Sequence, residues 1–401
     1  MPASLALRSE ADLIRLVEAG RGDSAYTQVF LDLLDERHPL YDGVGTAAVV
    51  RMRGALLLAL GHHTLPTAAL PFVLEELESP HEAWLTAVAA RVLRNHPEPS
   101  AAFVAPLLSA LFYIRQRDDT VRLDSYGGYG SEGEPTTAVA EVIRTMGWLG
   151  KAGERALPRL QELRAQEPGP RTAAQLDEAM AAIQHDAQCC GHARRFVDAP
   201  KSSPTDVTEL VLQDQSGELL TFRDFFIGRP SIVVFFYTRC DNPTKCPLTI
   251  AKLGRLQQRL HSAGLGDSIR TAAITYDPAY DLPPRLVQYA RSWGMSTSEN
   301  HRLLRTVGDL APMRAFFELG VNYGKSGLVN RHRIEAFVLD RAGRIVQVAT
   351  RQRWEESQLF EAAVALTGDA DGRLRANDGR SEDDRRVWAS MSGRSPRGSP
   401  P

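Results

Sequence analysis

The stretch Ser231-Ile-Val-Val-Phe-Phe-Tyr237 has neither a charge nor a break. An apolar run this short, β-branched at its start and aromatic at its end, does not suit a surface helix, whose polar face would interrupt it. It suits a strand covered on both faces. Such a strand is expected at the centre of a sheet with a layer on each side.

The neighbouring text agrees. Glu209-Leu-Val-Leu and Glu218-Leu-Leu-Thr-Phe predict a hairpin around Asp214-Gln-Ser-Gly217. Leu248 to Leu260 reads as an amphipathic helix, Ile269 to Tyr276 as a strand, and Leu286 to Trp293 and Met313 to Leu319 as helices. Glu335-Ala-Phe-Val-Leu-Asp340 and Arg344-Ile-Val-Gln-Val-Ala349 pair around Arg341-Ala-Gly343, and a last helix spans about 355–366. This order is a thioredoxin-like α/β layout.

The first half has a different grammar. Val49 to Leu60, Ala68 to Leu77, Glu82 to Leu93 and Ala101 to Ile114 read as helices separated by Pro66, Pro80, Pro97 and Pro99, and no stretch alternates like a strand. Ala69-Leu70-Pro71 follows Leu60-Gly61, as Ala156-Leu157-Pro158 follows Leu149-Gly150, each placing a proline in the first turn of a helix. Helix pairs recurring at roughly 40 residues resemble HEAT repeats, which bury each other's faces and present a concave partner surface. The Gly-rich segment from Arg117 to Pro135 is too long for a repeat turn and reads as an insertion. The expected organisation is α plus α/β: a HEAT-like helical-repeat domain over 1–195, a linker over 196–206, a thioredoxin-like domain over 207–367 and a disordered tail over 368–401.

Lys and Arg total 47 against 49 Asp and Glu, which gives no overall electrostatic case for nucleic acid. No run of about 18 apolar residues predicts a membrane span. The start, broken by Arg8, Glu10 and Asp12, offers no signal-like apolar core, so a cytoplasmic protein is expected, or an extracytoplasmic one if the start is misassigned.

The four cysteines cluster in mid-chain, at 189, 190, 240 and 246. Four thiols in 401 residues are no disulfide framework, and their clustering points to local thiol chemistry. Cys240 and Cys246 sit where the strand ending at Tyr237 meets the helix starting near Pro247. Helix-terminal amides there favour a thiolate, and Arg239 and Lys245 push the same way. His185, Cys189, Cys190 and His192 form a second thiol and imidazole group, candidates for metal or redox work though their spacing fits no zinc motif.

Three motifs give a resemblance. Tyr237-Thr-Arg-Cys240 leading to Cys246-Pro-Leu, Ala273-Ile-Thr-Tyr-Asp277-Pro278 followed by Asp281 and Tyr289, and His332 standing eleven residues before Gly343 together resemble the SCO/SenC proteins over about 207–366. These are thioredoxin-like copper-binding proteins involved in assembling the copper centre of cytochrome oxidase. The resemblance implies copper as the cofactor, with Cys240, Cys246 and His332 as its ligands and Cys240 and Cys246 as a redox pair. The family pattern has three residues between its cysteines; here there are five, Asp241 to Lys245. Asp277 and Asp281 read as turn or helix-capping residues. Three functions stay open: a copper-binding, redox-sensitive metallochaperone with a protein partner on its helical surface; a thiol-disulfide oxidoreductase or peroxidase using Cys240 and Cys246; and a non-catalytic interaction scaffold.

Overall fold

The computed structural model describes residues 7, 9–115, 118–123, 134–185, 205–325 and 327–377. Among the described residues of the first half there are nine α-helices: α1 (Glu10–Gly20), α2 (Thr27–Leu34), α3 (Thr46–Leu60), α4 (Leu70–Glu78), α5 (Ala83–Leu93), α6 (Val104–Ile114), α7 (Ala138–Trp148), α8 (Leu157–Ala165) and α9 (Pro170–His185). Odd-numbered helices pack neighbour against neighbour in one row, α4 lies against α6 in a second, and one core runs from Leu13 to Ile183. Pro71 and Pro158 stand in the first turns of α4 and α8, where a proline costs no hydrogen bond.

The absence of strands expected here is corrected. β1 (Thr120–Arg122) and β2 (Pro135–Thr137) pair antiparallel at the root of the Gly-rich insertion. Three residues each are too few to show alternation.

Close packing in this half depends on Gly54, in mid-α3. A Cβ there would lie 2.2 Å from Cζ3 of Trp84, a buried residue of α5. Gly54→Ala is therefore expected to overpack the α3–α5 contact and destabilise the protein by about 1–3 kcal/mol, read as a lowered thermal midpoint.

The second half contains β3 (Val211–Asp214), β4 (Leu219–Thr221), α10 (Phe222–Phe226), β5 (Ser231–Phe236), α11 (Cys246–Ser262), β6 (Arg270–Thr275), α12 (Pro283–Ser292), β7 (His301–Thr306), α13 (Ala311–Phe316), β8 (Val321–Tyr323), β9 (Val329–His332), β10 (Glu335–Leu339), β11 (Ile345–Thr350) and α14 (Glu356–Asn377). Its main sheet has the order β11-β10-β5-β6-β7-β3-β4. β5, β6 and β7 run parallel, and β10 flanks β5 antiparallel.

β5 is the buried strand its sequence requires. Ile232, Val234 and Phe236 enter one core with α11, α12 and α14, while Val233 and Phe235 enter another with α10 and α13. The period-two alternation of a strand thus serves two apolar layers at once. This is the thioredoxin-like α/β fold.

Three strands escape the sequence reading. β7 begins with His301, which is buried, its Nδ1 3.0 Å from the Thr271 hydroxyl. β8 and β9 form a separate antiparallel pair. The last helix, expected to stop near Leu366, continues to Asn377, into the segment read as tail. Residues 378–401 and most of the 196–206 linker lie outside the described residues. Among the described residues, no helix is long and apolar enough to cross a membrane.

Candidate metal and thiol site

Cys240, Cys246 and His332 come from three different segments, yet their donor atoms all lie within 4.8 Å of one another. Each is placed for a local reason. The chain leaves β5 through Tyr237, and Asp281 catches the next residue, accepting from the backbone N–H of Thr238 at 3.1 Å and from its hydroxyl. The Thr275 hydroxyl, at the end of β6, donates to the same carboxylate. Arg239 pairs with Asp277 and lies over the Tyr280 ring, 3.8 Å from its centroid. Asp277 and Asp281 bracket a turn, the Asp277 carbonyl accepting from the N–H groups of Tyr280 at 3.1 Å and Asp281 at 2.9 Å; neither caps α12, whose N-cap is Leu282, and their side chains clamp the loop that carries Cys240.

Cys246 is the first residue of α11, with Pro247 behind it. Only 1% of it is exposed, whereas Cys240 is half-buried. Both thiols are free. The Cys246 backbone N–H at the helix start is directed to the Cys240 sulfur.

His332 ends β9. Its Nδ1 is 2.9 Å from the carbonyl of Arg333. A carbonyl only accepts, so Nδ1 carries a proton and Nε2 is the ring nitrogen turned to the sulfurs, free to serve as a ligand when it carries no proton. Nε2 lies 3.5 Å from both sulfurs. Tyr237 and Tyr276 enclose the imidazole, each ring centroid 5.3 Å away.

The thiols are unequal. A hydrogen bond from Cys246 is the largest influence on Cys240; against the opposing effect of burial, it and His332 hold Cys240 well below the ordinary thiol range. Burial, then the neighbouring Cys240 sulfur, pushes Cys246 up. The pair therefore gives up its first proton easily and its second with difficulty. The two cations expected to favour the thiolate have other partners: Arg239 is on Asp277, and the Lys245 ammonium contacts Glu75 at 3.4 Å and the His332 carbonyl at 2.9 Å.

The helical domain reaches this site directly, through residues the sequence did not single out. Glu36, Glu75 and Glu76 are buried carboxylates meeting Arg331, Arg333, Arg351 and Lys245 of the other domain, with Arg53 among them. Glu36 accepts two hydrogen bonds of 2.8 Å from Arg351. Burial alone would raise its pKa, but Arg351, Arg53 and Arg333 hold it well below the usual range. The available signal was faint: Arg53 interrupts an apolar helix, and Glu75 and Glu76 stand between Leu74 and Leu77. A cleft of about 320 Å³ opens between the domains, lined by Thr46, His81, Arg239, Asp241, Arg331 and His332 among others.

Cys189, Cys190 and His192 lie outside the described residues, as does the side chain of His185.

Two thiols and one imidazole gathered beside the first turn of a helix, on a thioredoxin-like sheet, define a thiol or soft-metal protein. Residues 200–367 match the SCO1/SenC family model. Among solved structures it is similar to a SCO1/SenC family lipoprotein from Bacillus anthracis str. Ames, at 20% identity over 42% of this chain and 99% of that one, TM-score 0.36. It is similar to Bradyrhizobium japonicum ScoI with copper bound, at 21% identity over 39% and 96%, TM-score 0.31. Yeast Sco1 shares 24% identity over 40% and 96%, TM-score 0.32. No curated protein matches the chain.

Proposed function

We propose that the chain binds one copper ion through Cys240, Cys246 and His332 and that the oxidation state of the two thiols governs whether the metal is held. The carrying observation is the convergence of the three donor atoms within 4.8 Å. With metal–sulfur bonds of ~2.3 Å and metal–nitrogen bonds of ~2.0 Å, a tetrahedral centre separates sulfur from nitrogen by about 3.5 Å. Nε2 stands 3.5 Å from each sulfur, so both sulfur–nitrogen separations already have the value a bound metal needs. Two thiolates favour Cu(I), and an imidazole also suits Cu(II). The Nδ1 hydrogen bond to the Arg333 carbonyl fixes the tautomer that offers Nε2. The SCO1/SenC match supports copper over other soft metals. Oxidation of the two thiols to a disulfide would remove both soft ligands together. This suits a metallochaperone, with the HEAT-like helical part as its partner-binding region.

The test is anaerobic titration of the fully reduced chain with Cu(I) against a competing chelator. One tightly held copper per chain is expected, lost when Cys240 and Cys246 are oxidised. No binding would overturn the reading.

One observation favours a second reading. A stabilised thiolate beside a buried, protonated thiol is also the arrangement of a thiol-disulfide oxidoreductase. That reading requires turnover of a dithiol or peroxide substrate that Cys240→Ser abolishes and His332→Ala leaves intact.

A further inference from the structure

The segment between the two cysteines is held by the other domain. Asn242 is its anchor: Nδ2 donates to the Ser79 carbonyl at 3.2 Å, just after α4, while Oδ1 accepts from the Thr244 backbone N–H at 2.9 Å and its hydroxyl at 2.7 Å. Asn242 and Thr244 are buried. Asp241 faces His81, with Nε2 3.6 Å from Oδ2. At the far end of the spacer, Lys245 bridges the backbone of His332 and the carboxylate of Glu75 in α4. One ammonium thus joins the residue before Cys246, the carbonyl of His332 and the helical domain.

The histidine is fixed from the same side. In extended chain, successive side chains alternate. His332 turns to the sulfurs, and its neighbours Arg331 and Arg333 turn to carboxylates: Arg331 to Glu76 and, at 3.7 Å, Glu75; Arg333 to Glu335 at 3.1 Å and Glu36 at 3.8 Å. Every segment that supplies a donor atom is therefore tied to another through buried polar contacts. Two of them, the cysteine spacer and the strand end at His332, are tied to α4 and the turn after it.

We propose that the helical domain is the positioning shell of the cluster, with Glu75 acting through Lys245 to set the distance between the cysteine loop and His332. This rests on the metal-site reading. Glu75 and Lys245 are positioning residues, since neither touches the three donor atoms. A domain that was merely docked would stabilise the protein and leave donor geometry unchanged. A positioning shell alters how well the cluster holds metal and where the imidazole sits even before metal is added. Loss of an outer-shell partner typically lowers metal affinity by about 10–100-fold.

The experiment uses the full chain with Glu75→Gln, Lys245→Met and both together. Two quantities are read: Cu(I) affinity by chelator competition, and the ring ¹⁵N shifts of His332 in metal-free protein. Each single variant is expected to weaken Cu(I) binding by about 10–100-fold and shift the His332 resonances. The double variant should be no worse than the more affected single, because the two residues act as one link. Thermal unfolding shows that each variant is folded; if Lys245→Met is not, the near-isosteric Glu75→Gln decides. Unchanged affinity and unchanged His332 shifts in folded variants would overturn the proposal, whatever happened to stability. If wild-type protein binds no Cu(I) yet the shifts move, the copper reading fails and the positioning role stands. If wild type binds copper and neither quantity moves, the reverse holds.

Discussion

Cys246→Ser should lower Cu(I) affinity by more than about a hundredfold, beyond the ~10–100-fold that loss of an outer-shell partner costs. The sulfur is 3.5 Å from His332 Nε2 and almost wholly buried, and among the described residues Cys240 and Cys246 are the two free cysteines. Serine offers a hard hydroxyl that stays protonated at neutral pH, leaving Cys240 and His332 as two ligands where three stood. The change is nearly isosteric, and α11 should still start at residue 246, since Pro247 and the Thr249 N–H to Lys245 carbonyl bond of 2.9 Å are untouched. A hydroxyl buried without a partner costs roughly 1–3 kcal/mol, though Nε2 of His332 stands ready to accept. Chelator competition on the reduced variant is the check. Affinity within tenfold of wild type would remove Cys246 from the ligand set.

The sequence made some elements legible and hid others, for physical reasons that differ. β5 was readable because both of its faces meet apolar layers, so every position carries the signal. β7 was not. Its text, His301-Arg-Leu-Leu-Arg-Thr306, looks polar. Arg302 satisfies its charge on Asp214 and Glu218, and Arg305 bonds to Gln213 and the Pro278 carbonyl. These partners are supplied by the fold and cannot be seen in a window of six residues. β9 fails for a similar reason, its side chains being engaged by another domain. At the site, the motifs named the three residues that the structure brings together. Strand-to-helix chemistry found the cysteines, but His332 needed the family resemblance, since a histidine between two arginines has no local mark of a ligand. Wholly illegible was the helical domain's contact with the site. Glu36 and Arg351 are 315 residues apart, and Glu75 and Lys245 are 170. Such pairs become related only when two domains close on each other.

That interface makes the second large prediction. Glu36→Gln is expected to destabilise the docked protein by about 3–5 kcal/mol, the usual cost of removing one partner from a buried ionic network. Glu36 is fully buried and answers Arg351 with both oxygens and Arg53 at 3.0 Å. Glutamine keeps the shape and one acceptor oxygen but turns an amide N–H₂ toward a guanidinium. The positive charges of Arg53, Arg331, Arg333 and Arg351 are then answered by Glu75, Glu76 and Glu335 with one buried carboxylate fewer. The result should be a lower urea midpoint and faster proteolysis between the domains. Glu36→Gln combined with Arg351→Met should recover part of the loss, because it removes the guanidinium that has lost its two-oxygen partner. Acid gives an independent check. The folded pKa of Glu36 is depressed, so its contribution is present above the unfolded value near 4.5 and is lost as pH falls through the lower folded value. Wild-type stability should therefore fall more steeply below pH 4.5 than that of the glutamine variant. Equal acid slopes with an unchanged midpoint would mean that the carboxylate fills space without holding the two domains together.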